Sequence, residues 1–213
     1  MASSQGRFIS LEGVEGAGKT SAMTAIEQRL AEHGIDAVFT REPGGTELGE
    51  AIRELLLGPT DRQQSMSSET ELLLVFAARA QHLAEVIRPA LAAGQWVVCD
   101  RFSDATYAYQ GFGRGLDREW IATLEQRING TLQPDLTILL DVDVTAGRQR
   151  ALSRGTPDRF EAEADAFFER VRTGYATRQR QAPERFSCID ASRTADAVMA
   201  DVGDAIDALI AHD

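Results

Sequence analysis

An α/β fold, a parallel sheet covered by helices on both faces, follows from three features of this 213-residue sequence. Short apolar runs alternate with amphipathic stretches along the whole chain, as strands buried on both faces alternate with the helices that cover them. The first apolar run leads straight into Gly13-Val14-Glu15-Gly16-Ala17-Gly18-Lys19-Thr20, which fits the phosphate-binding pattern G-x-x-x-x-G-K-[ST]. The length suits one well-buried core, hence one domain spanning the chain with a mobile insert.

Strands are placed at 7–11, 37–41, 96–100, 136–141 and 186–190, with helices in the intervals. Arg7 to Leu11 is the strand that enters the glycine loop, and Thr20 to His33 leaves it as a helix with Met23, Ile26 and Leu30 at spacings of three and four. Strand, glycine loop and helix in that order argue against a mere glycine-rich surface turn. Gly13, Gly16 and Gly18 let backbone N–H groups turn inward, the helix N-terminus adds its partial positive charge, and the Thr20 hydroxyl is placed to ligate magnesium. Lys19 is the only lysine in the chain. Its compact ammonium can fold into a loop wrapped around phosphate oxygens, where a planar guanidinium cannot.

The longest helix is expected from near Ser68 to Ala93, interrupted or ended around Pro89, with Phe76, Arg79 and His82 at helical spacing. Three segments break the regular alternation: Glu42 to Thr46, Gln110 to Gly115 and Ser153 to Asp158. Each is a candidate substrate loop at the carboxyl edge of the sheet, where ligands bind in open α/β folds.

A net charge of −11 argues against a nucleic-acid or anionic-membrane binder, which needs a basic footprint, so an anionic ligand must be held by a local cluster of cations. The acidic stretches Glu161 to Glu169 and Asp196 to Asp213 read as solvated helix faces. Cys99 and Cys188, each in a predicted strand, read as small core side chains in a reducing compartment. Met1 to Gly6 lacks the features of a secretory signal, and the longest apolar run, Leu72 to Ala78, is too short to cross a bilayer. A cytoplasmic protein is expected. His33, His82 and His212 are isolated in sequence and are given ordinary surface or core roles.

Two further constellations carry chemistry. Trp96 to Cys99 is an apolar run ending in Asp100-Arg101, an acid that can hold magnesium through water and a guanidinium that can grip a phosphate in bidentate fashion. A structural ion pair is the alternative, but Ser103, Thr106, Tyr107, Tyr109, Gln110 and Arg114 follow closely and suit a base-and-sugar pocket. Arg148, Arg150, Arg154 and Arg159 surround Gly155-Thr156-Pro157-Asp158 and read as a lid, about 148–160, that closes over an anion. The competing reading is a helix face paired with Glu161 and Glu163. No arginine lies inside the glycine loop, so the lid must supply the cation for phosphoryl transfer. Glu15 places a carboxylate among phosphate donors, which makes sense if it accepts from a sugar hydroxyl; pairing with an arginine is the alternative.

Taken together, Gly13 to Thr20 with Glu15 inside it, Thr40-Arg41-Glu42-Pro43-Gly44-Gly45-Thr46, Asp100-Arg101-Phe102, Ala108-Tyr109-Gln110-Gly111 and Asp158-Arg159-Phe160-Glu161 closely resemble the bacterial thymidylate kinases, in that family's order and spacing over nearly the whole chain. The resemblance implies a P-loop NTPase fold with a five-stranded parallel sheet and a short mobile lid, a homodimer, and transfer of the ATP γ-phosphoryl group to dTMP with Mg2+. Among matching positions, Val14, Gly16, Ala17 and the other loop amides with Lys19 would hold the ATP phosphates, Thr20 and Asp100 the metal, and Arg101 the dTMP phosphate. Arg79 and Thr106 would meet the thymine edge, with Glu42 and Gln110 beside them. Glu15 would accept the 3′-hydroxyl and Tyr109 would crowd the 2′ position. Arg154, supported by Arg150 and Arg159 on the ATP side, would be the lid cation. The family often has its stacking aromatic four residues before the position of Arg79; that residue here is Val75, and Phe76 is the substitute candidate. A cis Glu42–Pro43 bond is also implied. A P-loop kinase acting on dUMP or a nucleoside would share the loop and the Asp-Arg pair but differ at Arg79, Thr106 and Tyr109. A P-loop switch protein is disfavoured, since no N-K-x-D sequence occurs.

Overall fold

β1 (Phe8–Gly13) is buried at every position and forms the middle of a five-stranded, all-parallel sheet in this computed structural model. The model describes residues 6–58, 66–152 and 158–211. The remaining strands are β2 (Ala37–Arg41), β3 (Trp96–Asp100), β4 (Leu136–Asp141) and β5 (Phe186–Asp190), and the order across the sheet is β2-β3-β1-β4-β5. Every strand lies within two residues of its expected position. Leu11 pairs with Asp100 and Gly13 with Leu140, so the glycine loop leaves the sheet between the tips of its two neighbours. Strand order reverses at β1, which opens a crevice at the carboxyl edge.

The helices are α1 (Lys19–Glu32), α2 (Glu47–Leu57), α3 (Ser68–His82), α4 (Arg88–Ala92), α5 (Ser103–Thr106), α6 (Arg118–Asn129), α7 (Val144–Leu152), α8 (Asp165–Gln181) and α9 (Ala195–Ala211). α1 presents Ala22, Ile26 and Leu30 to the core, and the principal apolar cluster joins them to Ile9, Leu11, Val98, Ile138 and Leu140 of the sheet and to Val198, Val202 and Ile206 of α9. Capping follows the sequence: Thr46 accepts from the Gly49 N–H to start α2, and Ser67 from the Thr70 N–H to start α3. The expected long helix is continuous in path but changes pitch. A π-helical turn, Leu83–Ile87, separates α3 from α4, whose first turn holds Pro89. Proline has no N–H to donate back along the helix, and the wider turn absorbs that loss.

Two expectations change. Gln110 to Gly113 is not irregular, because Tyr107–Gly113 forms a second π-helical turn continuing α5, and the break is confined to Arg114, Gly115 and the residues up to α6. Cys99 is buried as expected, but Cys188 is exposed, because β5 is an edge strand and that face opens into a groove lined also by Leu139, Arg172 and Gln179. No helix among the described residues is long and apolar enough to cross a membrane.

Candidate functional site

The glycine loop has the backbone that its sequence requires. Gly13, Gly16 and Gly18 have φ of 146°, 76° and 96°, a region that L side chains avoid. A Cβ on Gly16 would also stand 1.9 Å from the Gly147 carbonyl oxygen of α7, so the loop is pressed against that helix. Gly147 is a packing requirement that the sequence left unread. Val14 and Ala17 are buried in the core under the loop. Lys19 Nζ donates to the carbonyls of Gly13 (3.2 Å) and Val14 (3.3 Å). Burial, reinforced by Arg101, depresses its pKa, the expected result for an ammonium taken out of water beside a like charge.

A cavity of about 270 Å³ extends from this loop. Its lining includes Lys19 and Thr20, then Asp100 and Arg101 from the tip of β3, then Arg79, Thr106, Tyr109 and Gln110. Asp100 Oδ1 is buried without a hydrogen-bond partner. Arg101 adopts φ 69°, the only left-handed non-glycine residue among those described, a conformation costing roughly 1–2 kcal/mol. Its guanidinium donates to the Gly13 carbonyl (2.8 Å), the Tyr175 hydroxyl (3.1 Å) and Glu15 (2.7 Å), and lies 4.9 Å from the centre of the Tyr109 ring. Glu15 therefore forms the arginine pair weighed as the alternative, while its other oxygen accepts from the Tyr109 hydroxyl at 2.6 Å. Burial works to raise the Glu15 carboxyl, but Arg101, Lys19 and the Tyr109 hydrogen bond hold it below its ordinary value.

The opposite wall is a chain of buried polar groups. Glu42 accepts from Arg79 Nε at 2.6 Å and pairs with His82 Nδ1 at 3.0 Å, while His82 Nε2 lies 2.7 Å from the Thr40 hydroxyl. Arg79 also donates to Thr106 Oγ1 at 2.9 Å. Its remaining terminal nitrogen, Nη1, is buried and has no partner. His82 is thus a core residue, as expected, but one that orients a site carboxylate. The Glu42–Pro43 bond is cis. Phe76 does not line the cavity: it packs with Leu72, Tyr107 and Ile121 and places its ring 5.1 Å from the Arg79 guanidinium. Val75 lines the cavity instead, since adjacent residues on a helix point about 100° apart. Phe160 is the aromatic wall the sequence did not assign.

Arg154, at the centre of the expected lid, lies outside the described residues, as do its neighbours in 153–157 and His212. The flanks are tied down more firmly than the lid reading required. Arg148 pairs with Asp165, and Arg150 donates to the Ala191 carbonyl at 3.0 Å. Arg159 donates to the Leu56 carbonyl at 3.0 Å and pairs with the buried Glu71, which also accepts from Gln110 (2.8 Å) and Arg114. Arg148 and Arg159 thus take Asp165 and Glu71 as carboxylate partners. The first acidic stretch is not wholly a solvated face, because Glu161 lines the cavity and Glu163 pairs with Arg114. Arg53 of α2 is a further lining cation that carried no motif.

Comparisons with known proteins converge on one family. A sequence model of the thymidylate kinase family matches residues 11–202. The chain is 60% identical over 197 residues to the thymidylate kinase of Pseudomonas putida strain GB-1, across 92% of this chain and 93% of that one. It is 56% identical over 203 residues to that of Alkalilimnicola ehrlichii, across 95% and 93% of the two chains. Among solved structures, the thymidylate kinase of Ehrlichia chaffeensis superposes with a TM-score of 0.70 at 34% identity, covering 86% of this chain and 92% of that one.

Proposed function

This chain belongs to the thymidylate kinase family and phosphorylates dTMP with ATP in nucleotide biosynthesis, and from that premise we propose how its residues divide the work. Lys19 and the amides of Gly13 to Thr20 hold the ATP phosphates. Arg101, with Arg53 across the cavity, holds the dTMP phosphate in line. Arg79, Thr106 and Gln110 meet the thymine edge, with Glu42 fixing Arg79. The observation that carries this reading is the buried, unpartnered Nη1 of Arg79 in the cavity wall, because an unsatisfied buried donor selects a ligand that brings an acceptor.

No protein base is required. A monophosphate oxygen, largely ionised near pH 7 with a second pKa of ~6, attacks the γ-phosphorus as the bond to the ADP oxygen breaks. Alignment and charge neutralisation supply the catalysis. Arg154 of the lid, supported by Arg150, delivers the cation that the glycine loop lacks. Arg159 braces the lid through Glu71 and Leu56.

Magnesium fits the same site. The orphaned Asp100 Oδ1 is an acceptor in want of a cation, and Thr20 lines the cavity beside it. Among the described residues no group of three acidic, histidine or cysteine side chains could hold a metal unaided, which suits an ion that takes most of its ligands from phosphate and water. When bound, it would neutralise charge on the β- and γ-phosphate oxygens.

The reading also places the protein in the cytoplasm, as two free cysteines favour, and as a homodimer. Leu48 and Leu55, seven residues apart on α2, and Leu73 of α3 are about half exposed and offer an apolar face to a second copy.

The adjacent Glu15 carboxylate and Tyr109 hydroxyl give the sharpest test. Glu15→Gln should raise the KM for dTMP about tenfold while changing that for 3′-deoxy-dTMP little, the worth of one charged hydrogen bond. Equal losses for the two nucleotides would remove the sugar-hydroxyl assignment.

A further inference from the structure

Glu12 precedes the glycine loop by one residue, is wholly buried, and belongs to no motif read from the sequence. A carboxyl in that position must be hydrogen-bonded, and both of its bonds lead to Arg101. Oε1 accepts from the N–H of Phe102, the next residue in the chain, at 2.7 Å. Oε2 accepts from the Tyr175 hydroxyl at 2.9 Å, and the same hydroxyl accepts from Arg101 Nη1 at 3.1 Å. The Arg101 N–H donates to the Leu11 carbonyl at 2.9 Å. The left-handed residue is therefore pinned on both sides to β1, through Leu11 before it and Glu12 after it, and its side chain is pinned to the same carboxyl through one hydroxyl.

Strain of this kind persists only where the surroundings over-determine it. Glu12 and Tyr175, 163 residues apart, provide that determination, and neither lines the cavity. We propose that Glu12 and Tyr175 are positioning residues for the acceptor phosphate: the carboxyl fixes the backbone of Arg101 through the Phe102 amide and its guanidinium through the Tyr175 hydroxyl. The phosphate then meets a guanidinium whose direction is set before binding, and ordering it costs nothing further. This rests on the assignment of Arg101 to the dTMP phosphate.

The test is steady-state kinetics on Arg101→Lys, Tyr175→Phe, the double variant and Glu12→Gln, with thermal melting of each. Tyr175→Phe should raise the KM for dTMP about tenfold, leave that for ATP within about twofold, and add less than about twofold in the Arg101→Lys background, because coupled residues are non-additive. Glu12→Gln should shift the dTMP KM in the same direction. Additive losses in the double variant, equal changes for both substrates, or a wild-type dTMP KM in Tyr175→Phe would overturn the relay. A wild-type dTMP KM in Arg101→Lys would instead overturn the assignment of Arg101, and the relay with it. Should Glu12→Gln fail to fold, the tyrosine pair of variants decides the matter alone.

Discussion

Arg79 and Arg101 line one cavity, yet Arg79 is held by a carboxylate and a hydroxyl of its own wall, whereas Arg101, aimed by the Tyr175 hydroxyl, takes its counter-charge from Glu15 of the glycine loop. Arg79 is 1% exposed, bonded to Glu42 and Thr106, and flanked by the rings of Phe76 and Phe102. Arg101 and Lys19 share the Gly13 carbonyl, and Arg101 takes Glu15 as its counter-charge. The base-facing wall is built in advance, with the Nη1 amino group of Arg79 left over for the ligand. The phosphate end aims its guanidinium through the Tyr175 hydroxyl, leaves the cations bonded to the loop that phosphate will occupy, and accepts strain to do so. Selectivity and charge transfer thus make opposite demands: one wants a rigid network paired everywhere but at the group that meets the ligand, the other wants positive charge that is incompletely neutralised.

The contrast predicts that activity and stability separate between the two ends. At the phosphate end, Lys19→Met should lower kcat/KM by roughly three orders of magnitude or more, while thermal melting shows a Tm equal to or above wild type, since a half-buried cation set beside the Arg101 guanidinium is removed. A large fall in Tm would show that the ammonium is structural and erase the distinction. At the base end, Glu42→Gln breaks a buried ion pair and should cost about 3 kcal/mol, which melting would register as a Tm lower by roughly 6–12 °C in a chain of this size. A Tm within a degree or two of wild type would mean that this wall is no more pre-built than the other.

The smallest effect comes from between them. Burial, then the negative charge of Asp104, push the Glu12 carboxyl up to about 8 from an ordinary 4.5. The folded chain holds a proton that the unfolded chain has already lost across that interval, so this group's stabilisation is full below about 4.5 and is lost as pH rises towards about 8. Melting wild type and Glu12→Gln at several pH values should show the Tm difference moving in favour of the variant by a few degrees between mildly acidic and mildly alkaline buffer. Parallel curves would place the Glu12 titration outside that window and weaken the view of the phosphate end as strained.

Much of this was legible because it is local. Gly13 to Thr20 specifies its own backbone, since the positive φ angles fall on glycines and the lysine is next to the turn it fills. The strands could be placed because a doubly covered sheet needs continuous apolar runs. Resemblance assigned Arg79 and Thr106 to the thymine edge; both line the cavity, and the hydrogen bond between them had no signature in the sequence. Phe76 shows the limit of spacing arguments: one residue along a helix is enough to exchange the cavity for the core, and Val75 faces the cavity instead.

The sequence alone determined the order of strand, loop and helix, and the residue types that a phosphate site requires, because these depend on neighbours in the chain. Tertiary structure decided the rest: Glu12 meeting Tyr175, His82 meeting Glu42, Arg159 anchoring on Glu71, and Cys188 opening to solvent at the sheet edge. Such pairings have no sequence signature, since a buried carboxyl or guanidinium is satisfied by whichever partner the packed sheet and helices bring within about 3 Å.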